Sequence, residues 1–189
     1  MPQDQPVKIS VNFTEVVFHG KIWDVVSERF NYGDAELTRE FVKHTGAVAI
    51  IALDDQQRVL MIRQYRHPVR QYLWEIPAGL LDIDGESRLE AAKRELHEET
   101  GYFAKSWSEL TSFFTTPGGN DEEITIFLAQ DLKHVGFDDE LEGEEVDMLK
   151  QWFELPDLLQ SVLSGAIKSP SAVVAIMALA HKLGVKPNA

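Results

Sequence analysis

Residues 79–102 read GLLDIDGESRLEAAKRELHEETGY, and the rest of the chain is organised by what this stretch requires. A helix is predicted from about Glu86-Ser87 to Thr100, with Gly101 as its stop. Glu95 and Glu99 are four apart and Glu95 and Glu98 three apart, so on a helix they are neighbours on one face. Two such charges about 5 Å apart repel by roughly 3 kcal/mol at an effective dielectric of 20. Arg94 and Lys93 can neutralise part of that charge. A hard divalent cation would do so better, because carboxylates are oxygen ligands suited to Mg²⁺ or Mn²⁺, which bridge protein carboxylates to phosphates. The plainer reading of the same charges is a solvated acidic helix face.

Outward from the helix the chain alternates strands and turns. VKISVNFTEVVF, KIWDVVSERF and ELTREFV read as three short strands, punctuated by Gly20 and by Asn31-Tyr32-Gly33-Asp34. AVAIIAL at 47–53 is a continuous apolar run, the mark of a strand buried on both faces. Asp54-Asp55-Gln56-Gln57 turns it into RVLMIRQYR, so the two are expected to pair as a hairpin at the core of a mixed sheet. After the helix, FFTTPGGNDEEITIFLA reads as strand, Gly-rich loop, strand. An acidic loop over 134–148 precedes the strand LKQWFEL. LPDLLQSVLSG is a helix ended by Gly165, and a last helix has Ser169 at its N-cap, Pro170 in its first turn and Gly184 as its stop. The expected class is therefore an α/β sandwich with a mixed sheet. To it is added an N-terminal antiparallel β subdomain, residues 1–44, too small to bury its own face; residues 45–189 form the main domain.

Composition narrows the chemistry. The chain has 189 residues and no cysteine, which excludes a disulfide framework, a thiolate nucleophile and a Cys-ligated zinc site. Its 31 acidic and 18 basic residues give a net charge of −13, which disfavours non-specific binding to nucleic acid. A phosphate substrate remains compatible if a divalent cation stands between it and the protein. The N-terminus lacks a basic start followed by an apolar run, and the longest apolar stretch, Ala172–Ala180, is far short of the ~20 residues that cross a bilayer. A cytoplasmic protein without membrane contact is expected. There is no Gly-x-Ser-x-Gly elbow and no Walker sequence, so direct attack by water is the simpler chemistry.

Spacing decides between the metal site and the solvated face. Glu86, seven residues, then Arg94-Glu95-Leu96-His97-Glu98-Glu99-Thr100-Gly101-Tyr102 place eight spaced identities in seventeen residues. The pattern resembles the Nudix box, the signature of hydrolases that act on nucleoside diphosphates linked to another moiety. One departure is visible: six residues separate Gly79 from Glu86 where the box has five. A one-residue insertion in the Leu81–Gly85 loop accounts for it and leaves the helix carboxylates in register. TREFVKHTGAVAII, IRQYRHP, LWEIPAGLLD and TTPGGNDE are similar to the ADP-ribose pyrophosphatase branch of that superfamily, over most of residues 15–182.

The resemblance implies a Nudix-type α/β/α sandwich and a set of roles. Glu95 and Glu99 would be the main ligands of Mg²⁺ or Mn²⁺, joined by the Ala78 carbonyl. Glu86 and Glu98 would complete or tune the site, or Glu86 would instead pair with Arg94, whose role is more structural than catalytic. A glutamate of the 142–145 loop would take part in activating water: Glu145, which would also join the metal ligands, with Glu144 as the alternative, and Glu98 as a further acid. Arg39 and Arg66 suit phosphate or adenine, or else surface ion pairs. Glu75 and Glu122 match positions near the substrate, Pro117 stands where a proline past the box marks the ADP-ribose class, and Trp23 could stack on a base. Trp74 could do the same, although Trp is more often core or interface. His97 is expected to be solvent-exposed and no ligand. In this branch the N-terminal subdomain swaps across a homodimer. The small-molecule substrate would be ADP-ribose, with ADP-glucose, another nucleoside diphosphate sugar or a dinucleotide as alternatives. A non-catalytic module that senses ADP-ribose is the reading from a different class.

Overall fold

The computed structural model describes residues 1–136 and 148–188. The chain divides into two compact units, Met1–Thr45 with Phe114–Glu122, and Gly46–Phe113 with Glu123–Ala189.

The first unit is an antiparallel meander of β1 (Val11–His19), β2 (Asp24–Tyr32) and β3 (Ala35–Lys43) in that spatial order. Tyr32 pairs with Ala35 across the two-residue turn Gly33-Asp34. Gly33 lies at φ +61°, the first central position where only glycine turns a tight hairpin without strain. All nine residues of β1 are exposed, among them Val11, Phe13, Val16, Val17 and Phe18.

The second unit is built on β4 (Ala47–Ala52), which pairs parallel with β9 (Glu123–His134) and antiparallel with β7 (Ala78–Leu80). With β8 (Tyr102–Phe114) the sheet order is β7-β4-β9-β8. A second sheet runs β10 (Leu149–Glu154), β5 (Arg58–Arg66), β6 (Gln71–Glu75), all antiparallel.

The period of two along β4 explains its unbroken apolar run. Val48, Ile50 and Ala52 face α1 (Arg88–Thr100), meeting Ala91, Ala92 and Leu96. Ala49 and Ile51, with Leu53 just beyond, face α2 (Leu155–Leu163) and α3 (Pro170–Leu183), meeting Leu158, Ala175, Ile176 and Leu179. All six are within 2% of full burial. Each large aliphatic side chain so buried contributes about 1.5–3 kcal/mol. The result is the α/β/α sandwich with a mixed sheet expected from the sequence.

The hairpin expected of residues 47–66 is not what forms. β4 and β5 meet only at the bridge Leu53–Val59 and then part into different sheets. Asp54 does close the turn, accepting from the N–H groups of Gln56 (2.9 Å) and Arg58 (2.8 Å) and from Arg58 Nε (2.8 Å). Beyond that turn both edges of β4 are taken by β7 and β9, so β5 must find other partners. β8 is also longer than expected: it begins directly after the helix at Tyr102, eleven residues before Phe113. No helix among the described residues is long and apolar enough to cross a membrane.

Candidate active site

The site is organised by the entry into α1. After β7 the chain makes a turn in which the Glu86 N–H donates to the Ile83 carbonyl (3.1 Å), with Gly85 at φ +79°. Positive φ at the third position is what a type II turn needs and what glycine supplies. This turn lies within the stretch that carries the extra residue between Gly79 and Glu86. Ser87 then caps the helix, its Oγ accepting from the Glu90 N–H (3.2 Å). Gly101, at φ +71°, ends it by donating to the His97 carbonyl (2.7 Å).

With Ala91, Ala92 and Leu96 committed to the core, the helical period points Glu95 and Glu99 at β7. Glu99 is 7% exposed, and its Oε2 accepts from the Ala78 N–H at 2.9 Å. The Glu95 carboxylate lies on the backbone of Gly79, so closely that a side-chain carbon there would coincide with it. Glycine is needed at 79 for close approach, not for an unusual dihedral. Two carboxylates one helical turn apart thus converge on the dipeptide Ala78-Gly79.

Arg94 binds the other acids together. Its Nε and Nη2 fork onto Glu86 (3.1 and 3.0 Å), and Nη1 donates to Glu95 (2.5 Å) and to Glu98 (3.0 Å). These bonds hold the Arg94 guanidinium charged at all working pH, far above its ordinary value. They hold the Glu86 carboxyl below its usual range, the Arg94 hydrogen bonds outweighing burial. Glu95 moves the other way. Burial pushes it up, Arg94 opposes, and the charges of Glu98 and Asp82 add to the rise. Partial burial thus outweighs the Arg94 charge at Glu95, whereas at Glu86 Arg94 wins. Glu98 is the accessible one, its side chain 54% exposed. Among the described residues no three acidic or histidine side chains stand ready-made as a metal cage.

The other residues singled out from the sequence fall into three places. Arg66 and Glu75 come together in the second unit: Arg66 Nε and Nη2 fork onto the two oxygens of Glu75 at 3.0 and 2.8 Å, and Glu75 is buried. Trp23, Arg39, Pro117 and Glu122 belong to the first unit. Arg39 is exposed and donates to the Thr38 carbonyl. Pro117 is exposed at the head of a turn in which the Gly119 and Asn120 N–H groups donate to the Thr116 carbonyl. Trp23 stacks on His44, and Glu122 lies 3.4 Å from His44 Nε2. Glu144 and Glu145 lie outside the described residues. Trp74 packs edge-on against Phe153 in the core.

His97 corrects the expectation of solvent exposure. It is 8% exposed, stacked on Phe103 with ring centroids 4.3 Å apart. The strand that follows the helix folds back over it, which periodicity within the helix alone does not reveal. His44 and Thr115, which hold Glu122, carried no signal by spacing; only the fold brings residues 44 and 115–122 together.

Comparison with known proteins agrees with this geometry. The family model described as NUDIX domain matches residues 43–172. An ADP-ribose pyrophosphatase of Mycobacterium tuberculosis is 42% identical over 78% of this chain and 70% of its own length. An ADP-ribose pyrophosphatase of Bacillus subtilis is 38% identical over 89% of this chain and 90% of its own. Among solved structures, a crystal structure of an ADP compounds hydrolase superposes with a TM-score of 0.74 at 23% identity, covering 96% of this chain and 97% of that one, a likeness of fold. The helix that sets Glu95 and Glu99 against Ala78-Gly79 is thus the Nudix box in its place, and the chain belongs to the NUDIX domain family as a Nudix hydrolase.

Proposed function

We propose that the chain hydrolyses the pyrophosphate bond of ADP-ribose, giving AMP and ribose 5-phosphate. The observation that carries this is the convergence of Glu95 and Glu99 on the Ala78-Gly79 backbone, in a chain 42% and 38% identical to two ADP-ribose pyrophosphatases. In the reaction one P–O bond of the P–O–P link breaks, one forms to the oxygen of water, and the water loses a proton.

The donors present suit a hard divalent cation, Mg²⁺ or Mn²⁺. They are all oxygens, and Glu95 and Glu99 converge on the Ala78-Gly79 backbone. Glu95 and Glu99 would hold the ion with the Ala78 carbonyl, and Glu86 or Glu145 would complete the set. When bound, the cation supplies positive charge against the pyrophosphate oxygens. Arg94 holds Glu86, Glu95 and Glu98 together in one cluster. We assign the base that takes the water's proton to Glu145, with Glu144 as the alternative. Glu98, the accessible acid of the helix, is the remaining candidate.

Substrate contacts are assigned to Arg66 and Glu75, and to Trp23, Arg39, Pro117 and Glu122. Glu75 fixes the Arg66 fork from a buried position, which suits an arginine presented to phosphate. The exposed apolar residues of β1 support a homodimer built through the N-terminal sheet, and the absence of cysteine is compatible with the cytoplasm.

The test is a turnover panel with Mg²⁺ present: ADP-ribose, ADP-glucose, GDP-mannose, NADH and a diadenosine polyphosphate, scored as kcat/KM. ADP-ribose should lead, and a chelator should abolish AMP release. A flat or displaced profile would refute the substrate. No turnover on any of them would revive the ADP-ribose-sensing module.

A further inference from the structure

His44 stands at the junction of two groups that sequence reasoning treated separately. It follows β3 in the first unit, and its side chain is 5% exposed. The face of its ring stacks on Trp23, with centroids 5.5 Å apart and planes 29° from parallel. The edge of its ring, at Nε2, lies 3.4 Å from Glu122 Oε1. The other Glu122 oxygen accepts from the Thr115 hydroxyl at 2.6 Å. The His44 backbone is tied to the same loop, its N–H donating to Asp121 Oδ1 at 2.7 Å, and Lys43 Nζ reaches Asp121 Oδ2 at 2.5 Å.

Trp23 also lines an apolar hollow of about 340 Å³ with Phe18, Ile22, Val25 and Val42. An indole backed by a buried ring on one side and bordering a hollow is fixed where a planar ligand group can use it. A carboxylate gripped at both oxygens is likewise aimed rather than free to rotate, which is what recognition of a sugar hydroxyl asks of it. One imidazole serves both: its face sets the Trp23 plane and its edge sets the Glu122 carboxylate.

We propose that His44 is a positioning residue for substrate recognition, which couples the Trp23 ring to the Glu122 carboxylate so that the base-facing and sugar-facing contacts are set together. This rests on the reading that Trp23 and Glu122 touch the substrate. His44 itself touches neither the substrate nor the reacting bond, so its loss acts on KM and leaves the chemical step alone.

The experiment is steady-state kinetics on ADP-ribose for Trp23→Ala, Glu122→Gln, His44→Phe, His44→Gln and the double variant His44→Phe/Glu122→Gln. Phe keeps the stacking face and removes the bond to Glu122; Gln keeps a donor near the position of Nε2. His44→Phe should raise KM about tenfold with kcat within about twofold, and His44→Gln, which keeps the donor but loses the face stacked on Trp23, should also raise KM with kcat little changed. The double variant should be no worse than the poorer single one, because both remove the same contact. If Trp23→Ala and Glu122→Gln leave KM unchanged, the substrate reading itself fails. If they raise KM but His44→Phe does not, or if the double variant is additive, the positioning role is overturned. Should His44→Phe fold poorly by circular dichroism, Thr115→Val tests the same grip from the other oxygen. An unchanged KM there would equally overturn the proposal.

Discussion

Gly79→Ala separates the site from the fold more sharply than removal of any carboxylate. The added methyl would coincide with the carboxylate of Glu95, which must move away. The backbone of Gly79 is not among the positive-φ positions, so alanine introduces no dihedral strain. What moves is the end of a flexible side chain, and forcing it off its rotamer costs about 1 kcal/mol. Replacing glycine stiffens the unfolded chain and returns about 0.4–1 kcal/mol. The two nearly cancel, and since 1 kcal/mol shifts a chain of this size by about 2–4 °C, Tm should stay within a few degrees. Activity should not survive so well. A displacement of about 1 Å at a reacting centre costs about a hundredfold, or about 2.7 kcal/mol at 1.36 kcal/mol per decade. The assay is AMP release from ADP-ribose with Mg²⁺, read as kcat/KM, beside a thermal melt. Glu95→Gln should also lose at least about a hundredfold, and the double variant should be little worse than either single one. A Gly79→Ala protein with wild-type kcat/KM would refute the placement of Glu95 at the reacting centre.

Three further outcomes follow from other parts of the molecule. Arg66→Ala strands the buried Glu75 carboxylate and should lower stability by about 2 kcal/mol, measured by urea unfolding, with Glu75→Gln in the same background restoring part of it. Burial pushes the Asp121 carboxyl up, but the Lys43 hydrogen bond and the His44 N–H outweigh it and hold it below its ordinary 3.8. Its stabilisation is therefore complete above that value and lost as pH falls through the lower folded-state value. Asp121→Asn should be less stable than wild type at about pH 7, with the gap in urea midpoints narrowing as the pH falls below 3.8. Ile51→Ala opens a cavity between the mixed sheet and the α2–α3 layer and should cost about 3 kcal/mol, or about 10 °C in Tm, against about 1 kcal/mol for Ile51→Val.

Legibility in the sequence followed the range of the forces involved. Ser87, Gly101 and the carboxylate spacing are local, and α1 and its acid face could be read from them directly. The apolar run 47–53 announced burial on both faces, and β4 has helices on both. Its partners could not be read. A turn as well formed as that of Asp54 favours a hairpin, and only competition for the edges of β4 sends β5 to another sheet. His97 is buried for a similar reason: the aromatic that covers it comes from β8, outside the helix whose period predicts it exposed. The Arg94 cluster was anticipated because its members lie within one or two turns of each other. The grip of His44 and Thr115 on Glu122 was not, because residues 44 and 115–122 are separated by most of the second unit.

The strand that carries both layers of the sandwich also sets the order in which the chain can be completed as it leaves the ribosome. The meander β1–β3 needs only neighbours in sequence, and its pairings can close as soon as residue 43 emerges. β4 follows at once, yet its parallel partner begins at Glu123, where Ala47 meets Ile124, and one of its helix layers waits for residues 155–183. Until those arrive, the most apolar segment of the protein has one free edge and one bare face. Slower synthesis across residues 53–123 therefore prolongs the exposure of AVAIIAL, which a holdase would shield meanwhile.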